Sequence, residues 1–227
     1  SEAGDATTTG ASNVAMGKGA LSANTNAANN TAVGFESGFS TTTGAQNTFF
    51  GRKAGRGNTT GTENTFVGNS AGRDGTTTGS QNVGVGTGIL NSLTSGSNNI
   101  AMGRDALGAN TTANNNTAVG YQSGMSITTG INNTFMGGQS GDALTTGQEN
   151  VALGYNALTA DTQGDNSVAI GNNALFTQNG VNGNVFNVAV GKNAGFAITT
   201  GVENTLIGAL AGDSLTDADF NVAIGKN

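Results

Sequence analysis

Along residues 13–227 the apolar and polar positions recur as one short unit, and Asn116-Thr117-Ala118-Val119-Gly120 is a representative copy. Its glycine returns at Gly17, Gly34, Gly51, Gly68, Gly86, Gly103, Gly120, Gly137, Gly154, Gly171, Gly191, Gly208 and Gly225. The spacing is 17 residues, except 18 between Gly68 and Gly86 and 20 between Gly171 and Gly191. A fixed short period marks a solenoid, in which a repeat buries its apolar face only against its neighbours. Columns are numbered here from the leading Asn, which makes the glycine the fifth.

The second column is β-branched throughout, from Val14 and Thr31 to Val222, and the fourth is bulky and apolar, from Met16 to Ile224. Such a triplet closed by Gly predicts a short strand. Copies in register predict a parallel ladder with columns about 4.8 Å apart, so that thirteen make a rod of roughly 60 Å. The expected fold is all-β, a parallel β-roll or β-solenoid of 17-residue repeats in about 13 copies. It reads as a single elongated domain over 1–227, with a partial leading repeat at 1–12 and full repeats from Asn13 through the one led by Asn221.

Volume compensation predicts the lumen. Where the third column is large (Phe49, Phe66, Phe135, Leu206), the ninth is Gly55, Gly72, Gly141 and Gly212. Where the ninth is Leu21, Leu90, Leu107, Leu158 or Leu175, the third is small. Three repeats are small at both columns and carry Phe39, Met125 or Phe196 at the tenth instead, while Phe176 beside Leu175 is an exception. A lumen at crystal-like density has room for about one large group per layer, so the third and ninth columns are expected to face each other.

Side chains alternate along a strand. With the third column inward, the second and fourth point outward, yet the fourth is bulky and apolar in every copy and the second is Val, Ile or Thr. A strand apolar on both faces is buried on both, and a lone solenoid would expose more apolar stripe than a monomer tolerates. Self-association, as a side-by-side homotrimer, follows as the expectation. Its interface would hold Val14, Met16, Val33, Val119, Val151, Leu153, Val168, Ile170, Val188, Val190 and Ile224.

The other columns read as turns. Thr42-Thr43-Gly44 and its counterparts at Thr59, Thr128, Thr145 and Thr199 read as a second short strand, closed by a glycine that accepts positive φ. The leading Asn suits a corner whose amide bonds along a ladder. The extra residue near Thr76 and the three around Gln178 to Asn184 should bulge outward without breaking the stack.

Composition narrows the chemistry. Cys, Pro, His and Trp are absent, which removes thiol, imidazole and disulfide chemistry and the usual zinc ligands. Only 10% of residues are charged and the net charge is −6, which argues against a nucleic-acid partner. No apolar run approaches membrane-spanning length, so no membrane insertion is expected. The chain opens without a signal peptide and stops two residues after a repeat glycine, and it reads as a segment of something longer.

With these columns in view, Ser167-Val168-Ala169-Ile170-Gly171 resembles the repeat of trimeric autotransporter adhesin heads. Asn116-Thr117-Ala118-Val119-Gly120, Thr128-Thr129-Gly130 and Asn133-Thr134-Phe135 resemble repeats of phage and prophage tail-fibre proteins. The likeness runs from about Asn13 to the end, with a longer repeat than the adhesins and an added Thr-Thr-Gly arm. It implies a left-handed parallel β-roll, three chains side by side with the apolar strand at the trimer centre. The implied location is extracellular, on a cell surface or a virion tail fibre, and the implied role is host attachment.

An enzyme needs paired carboxylates, an activated nucleophile or a metal cluster. Asp and Glu are scattered, and Glu63, Glu149 and Glu203 share the seventeenth column, read as a solvated turn. No catalytic residue, metal site or cofactor is assigned. Stacked Thr raises an ice-binding reading, set against the expectation that adjacent Thr in a strand point to opposite faces. The sixth column holds Lys18, Phe35, Arg52, Arg104, Tyr121, Tyr155, Lys192 and Lys226. It reads either as a tolerant surface turn on a passive structural spacer, or as a basic and aromatic ridge that contacts a host cell-surface glycan or receptor.

Overall fold

In a computed structural model, which describes residues 3–6 and 8–226, the chain is an all-β parallel solenoid of about 12 turns with about 17-residue spacing. Contacts divide it into two units, Ser1–Asn114 and Asn115–Asn227. The first unit contains β1 (Val14–Met16), β2 (Thr31–Val33), β3 (Thr48–Phe50), β4 (Thr65–Val67), β5 (Val83–Val85) and β6 (Ile100–Met102), each parallel to the next. The second contains β7 (Thr117–Val119), β8 (Thr134–Met136), β9 (Val151–Leu153), β11 (Val168–Ile170), β13 (Val188–Val190), β14 (Thr205–Ile207) and β15 (Val222–Ile224), paired in that order. Register is strict, so second pairs with second and fourth with fourth: Val14 with Thr31, Met16 with Val33.

The fifth-column glycine ends each strand for two reasons that act together. Gly34 has φ of 137°, which L side chains rarely adopt, and a Cβ there would lie 2.3 Å from the carbonyl oxygen of Gly51 in the next coil. The chain then turns twice. Ala54 N–H donates to Gly51 O at 3.3 Å, and Asn58 N–H donates to Gly55 O at 3.0 Å. Between the two turns the ninth column also has positive φ, 49° at Leu21 and 59° at Gly55. Leu, which is not branched at Cβ, and Gly tolerate that region better than the β-branched residues of the strand columns.

The lumen follows the expected compensation. Phe49, Phe66, Phe135 and Leu206 are fully buried, as are Leu90, Leu107, Leu158 and Leu175. A Cβ on Gly55, Gly72 or Gly141 would fall 2.3, 2.7 or 2.5 Å from the ring of Phe49, Phe66 or Phe135 respectively. Third and ninth columns therefore share one space.

The tenth column does not belong to it, contrary to expectation. Phe39, Met125, Phe176 and Phe196 are half-exposed, and Phe176 stacks on Phe196 with centroids 5.0 Å apart on the outside. The second turn rotates that column out and carries the twelfth in: Leu93, Ile127, Leu144 and Ile198 are fully buried. Ile127 and Ile198 fill two of the coils that are small at columns three and nine. In the third, Leu21 and Phe49 lean over Gly38 from adjacent coils, 2.9 and 2.8 Å from where its Cβ would stand.

The Thr-Thr-Gly arm is not a second strand. Thr42, Thr43 and Gly44 all direct their N–H groups at Thr59 O, at 2.9, 3.4 and 3.3 Å. Three consecutive donors converging on one carbonyl bend the chain, whereas a strand alternates its donors. Gly44 is not among the positive-φ glycines; that conformation falls instead on the seventeenth column, as at Gln46 with φ of 61°. Both insertions leave the main ladder in register, Val67 opposite Val85 and Val168 opposite Val188. Thr76, Asn179 and Gly180 stand exposed as expected. The longer insertion re-enters pairing as β12 (Gly183–Asn184) on β10 (Gly164–Asp165).

Candidate functional site

The leading Asn column fixes the corner from which the outward strand face is presented. Asn47 is buried; its Nδ2 donates to Gly61 O at 2.9 Å and to Asn30 Oδ1 at 3.0 Å, and its N–H donates to the same Oδ1 at 2.9 Å. The pattern recurs at Asn133, Asn150 and Asn204 in the second unit. These ladders satisfy both the buried amides and the backbone that turns into the strand.

That corner sets the direction of every strand side chain. The third column points inward and the second and fourth outward, so all eleven residues expected at an interface lie on the outer face. Val14, Met16 and Ile224 are 49%, 64% and 73% exposed. Val33, Val119, Val151, Leu153, Val168, Ile170, Val188 and Val190 are half-buried, each partly covered by its neighbours along the file. Phe50, Val85, Met102, Met136 and Ile207 extend the apolar face and are exposed.

The sixth column is exposed at each proposed ridge position. Lys18, Phe35, Arg52 and Arg104 belong to the first unit, and Tyr121, Tyr155, Lys192 and Lys226 to the second. In the first unit the Arg52 guanidinium lies over the Phe35 ring, 5.9 Å from its centroid. Beside them Glu36 accepts from Arg56 at 2.9 Å and approaches Lys53 at 3.8 Å, while Arg104 pairs with Asp105 at 3.2 Å. A surface alternating positive charge with aromatic faces suits sugar rings and acidic groups. Glu63, Glu149 and Glu203 are exposed at a positive-φ turn, as the sequence indicated.

Both Thr files are accessible, which corrects the expectation of opposite faces. Thr42 is half-buried and donates to Thr59 O at 3.2 Å, while Thr43 is exposed. The inward residue of that arm is Thr41. Thr43, Thr60, Thr78, Ser95 and Thr112 are exposed on successive coils of the first unit.

One buried polar cluster escaped the sequence reading. Asp161 Oδ2 accepts from Gln178 Nε2 at 2.6 Å, and its Oδ1 accepts from the N–H groups of Gly164 and Gln163 at 2.8 and 3.2 Å. Gln178 Nε2 also donates to Ser167 Oγ at 3.0 Å. Burial pushes the Asp161 carboxyl up from its ordinary value, against these donors. The one available signal was Ser167, the single break in the Asn column. Among the described residues no group of three or more acidic side chains is placed to hold a metal ion. No protein-family model, no curated protein and no solved structure matches the chain.

Proposed function

We propose that the chain is a segment of a homotrimeric attachment fibre, borne on a virion or cell surface, which binds a host glycan or receptor without enzymatic activity. The carrying observation is the strand face. Its fourth column is bulky and apolar in every copy and its second is Val, Ile or Thr, and both point away from a lumen that is already filled. Apolar surface repeated at this scale is rare on monomers and common where chains meet. Two further copies of the same chain supply matching stripes, as in the adhesins and tail fibres that the repeat resembles. The sixth column, exposed and rich in Arg, Lys and Tyr, then serves as the contact ridge.

The test uses the assembled protein on a glycan array and on host cells. Changing Arg104, Tyr121 and Tyr155 to Ser leaves the fold intact, because surface substitutions stay within about 0.5 kcal/mol, and weakens attachment. Full attachment by a well-folded triple variant would favour a passive spacer instead. A second reading, ice binding, is favoured by the exposed hydroxyl file from Thr43 to Thr112; measurable thermal hysteresis would support it over attachment.

A further inference from the structure

The insertion in the coil led by Ser167 carries the chain's two Asn-Gly steps, Asn179-Gly180 and Asn182-Gly183. Both asparagines are exposed. A following glycine matters because no side chain hinders its backbone nitrogen. Gly180 and Gly183 have nearly the same φ, 96° and 97°, but the two sites differ in their hydrogen bonds.

At Asn179 the side chain folds back over the next peptide, and Gly180 N–H donates to Asn179 Oδ1 at 2.8 Å. The Thr162 hydroxyl of the preceding coil donates to the same oxygen at 3.0 Å. At Asn182 the corresponding nitrogen is occupied elsewhere. Gly183 N–H donates to Gln163 O at 3.4 Å, within the β10–β12 pair.

We propose that Asn179 is a self-modifying site, at which the backbone converts the side-chain amide to a carboxylate with solvent water as co-reactant. Gly180 nitrogen loses its proton to solvent base and bonds to Asn179 Cγ, the carbon that bears the Oδ1 to which this nitrogen already hydrogen-bonds. The electron pair of the Cγ–Oδ1 double bond moves to Oδ1, where the Thr162 hydroxyl stabilises the developing oxyanion. Collapse breaks the Cγ–Nδ2 bond, and Nδ2 takes a proton and leaves as ammonia. Water then opens the cyclic imide at either carbonyl, giving aspartate or isoaspartate. The product puts a new negative charge on the insertion, outside the main ladder.

The experiment incubates the full folded chain at neutral pH and maps peptides by mass. A gain of about 1 Da, the replacement of NH2 by OH, accumulates at Asn179 about tenfold faster than at Asn182. In denaturant the two sites react at similar rates, because both are then plain Asn-Gly steps. Thr162→Val, checked by circular dichroism, slows Asn179 to the Asn182 rate, while Thr162→Ser keeps it fast. Equal rates at the two sites in the folded, unaltered chain overturn the proposal. So does a folded Thr162→Val chain that reacts as fast as the original.

Discussion

Asn187 donates its side-chain amide to Gln178 Oε1 at 3.0 Å, where its counterpart Asn204 donates to Asn187 Oδ1 at 3.1 Å. Gln178 thus takes the acceptor position left open by Ser167, reaching it from the twelfth column. Its Nε2 is turned toward Ser167 and Asp161, which fixes the orientation of the amide. Gln178→Ala strips a donor from Asp161 and an acceptor from Asn187, and costs about 1–3 kcal/mol. Adding Ser167→Asn returns an acceptor to the ladder and recovers part of the loss. Urea unfolding of the three chains checks this; a double variant no more stable than Gln178→Ala would refute it.

The shared space of columns three and nine makes a compensating pair. Phe135→Ala opens a cavity and costs about 3–5 kcal/mol. Gly141→Leu alone collides with the Phe135 ring, which stands 2.5 Å from the site of the new Cβ. Together the two changes recover stability, because Leu158 holds the same column at φ of 55° in the next coil. Thermal melts of the two single variants and the double should place the double above both.

The outer strand face yields a prediction on assembly. Val119→Asp with Val151→Asp puts unpaired charges where the trimer reading buries apolar side chains, at a cost of several kcal/mol per site. Light scattering should show that the altered chain dissociates or aggregates. A stable monomer for the unaltered chain would remove the trimer from consideration.

Asp161 gives a pH dependence of unusual sign. Burial raises its folded-state pKa above the unfolded value, so the folded chain binds the extra proton. Its contribution to stability therefore declines as pH rises from the unfolded value through the folded one, and is most favourable below both. Asp142, raised by burial and opposed by the Thr159 hydroxyl, acts in the same direction. Asp74, lowered by its bond to Arg73, acts in the opposite one. Asp161→Asn should remove part of the falling slope on the acid side of neutrality, whatever it does to absolute stability. Unfolding curves across that range that run parallel for both chains would contradict the assignment.

The strands, their register and the facing of columns three and nine were legible because they repeat, and a repeated constraint leaves the same residue in copy after copy. The twelfth column was not legible. It holds Asn24 and Leu93 in the first unit and Ile127, Asp161 and Gln178 in the second, all buried, so no hydropathy pattern marks it, and Phe39 and Phe196 close to it in sequence look more like core. Thr-Thr-Gly was misread as a strand because Thr is a strand former. Its backbone is set instead by three N–H groups sharing Thr59 O. The direction of columns two and four could be argued from alternation, whereas Gln178 standing in for an Asn depended on a contact between residues 9 apart.

The repeat glycines carry a consequence for how such a chain changes length. Within each unit, where another coil follows, they are fitted to its glycine, Gly34 to Gly51 in the first and Gly154 to Gly171 in the second, and not to a side chain that differs from copy to copy. The joint between coils is thus the same joint wherever it occurs. A gene encoding it can gain or lose whole coils by unequal recombination and keep this backbone joint, while the side chains inside the lumen meet new neighbours.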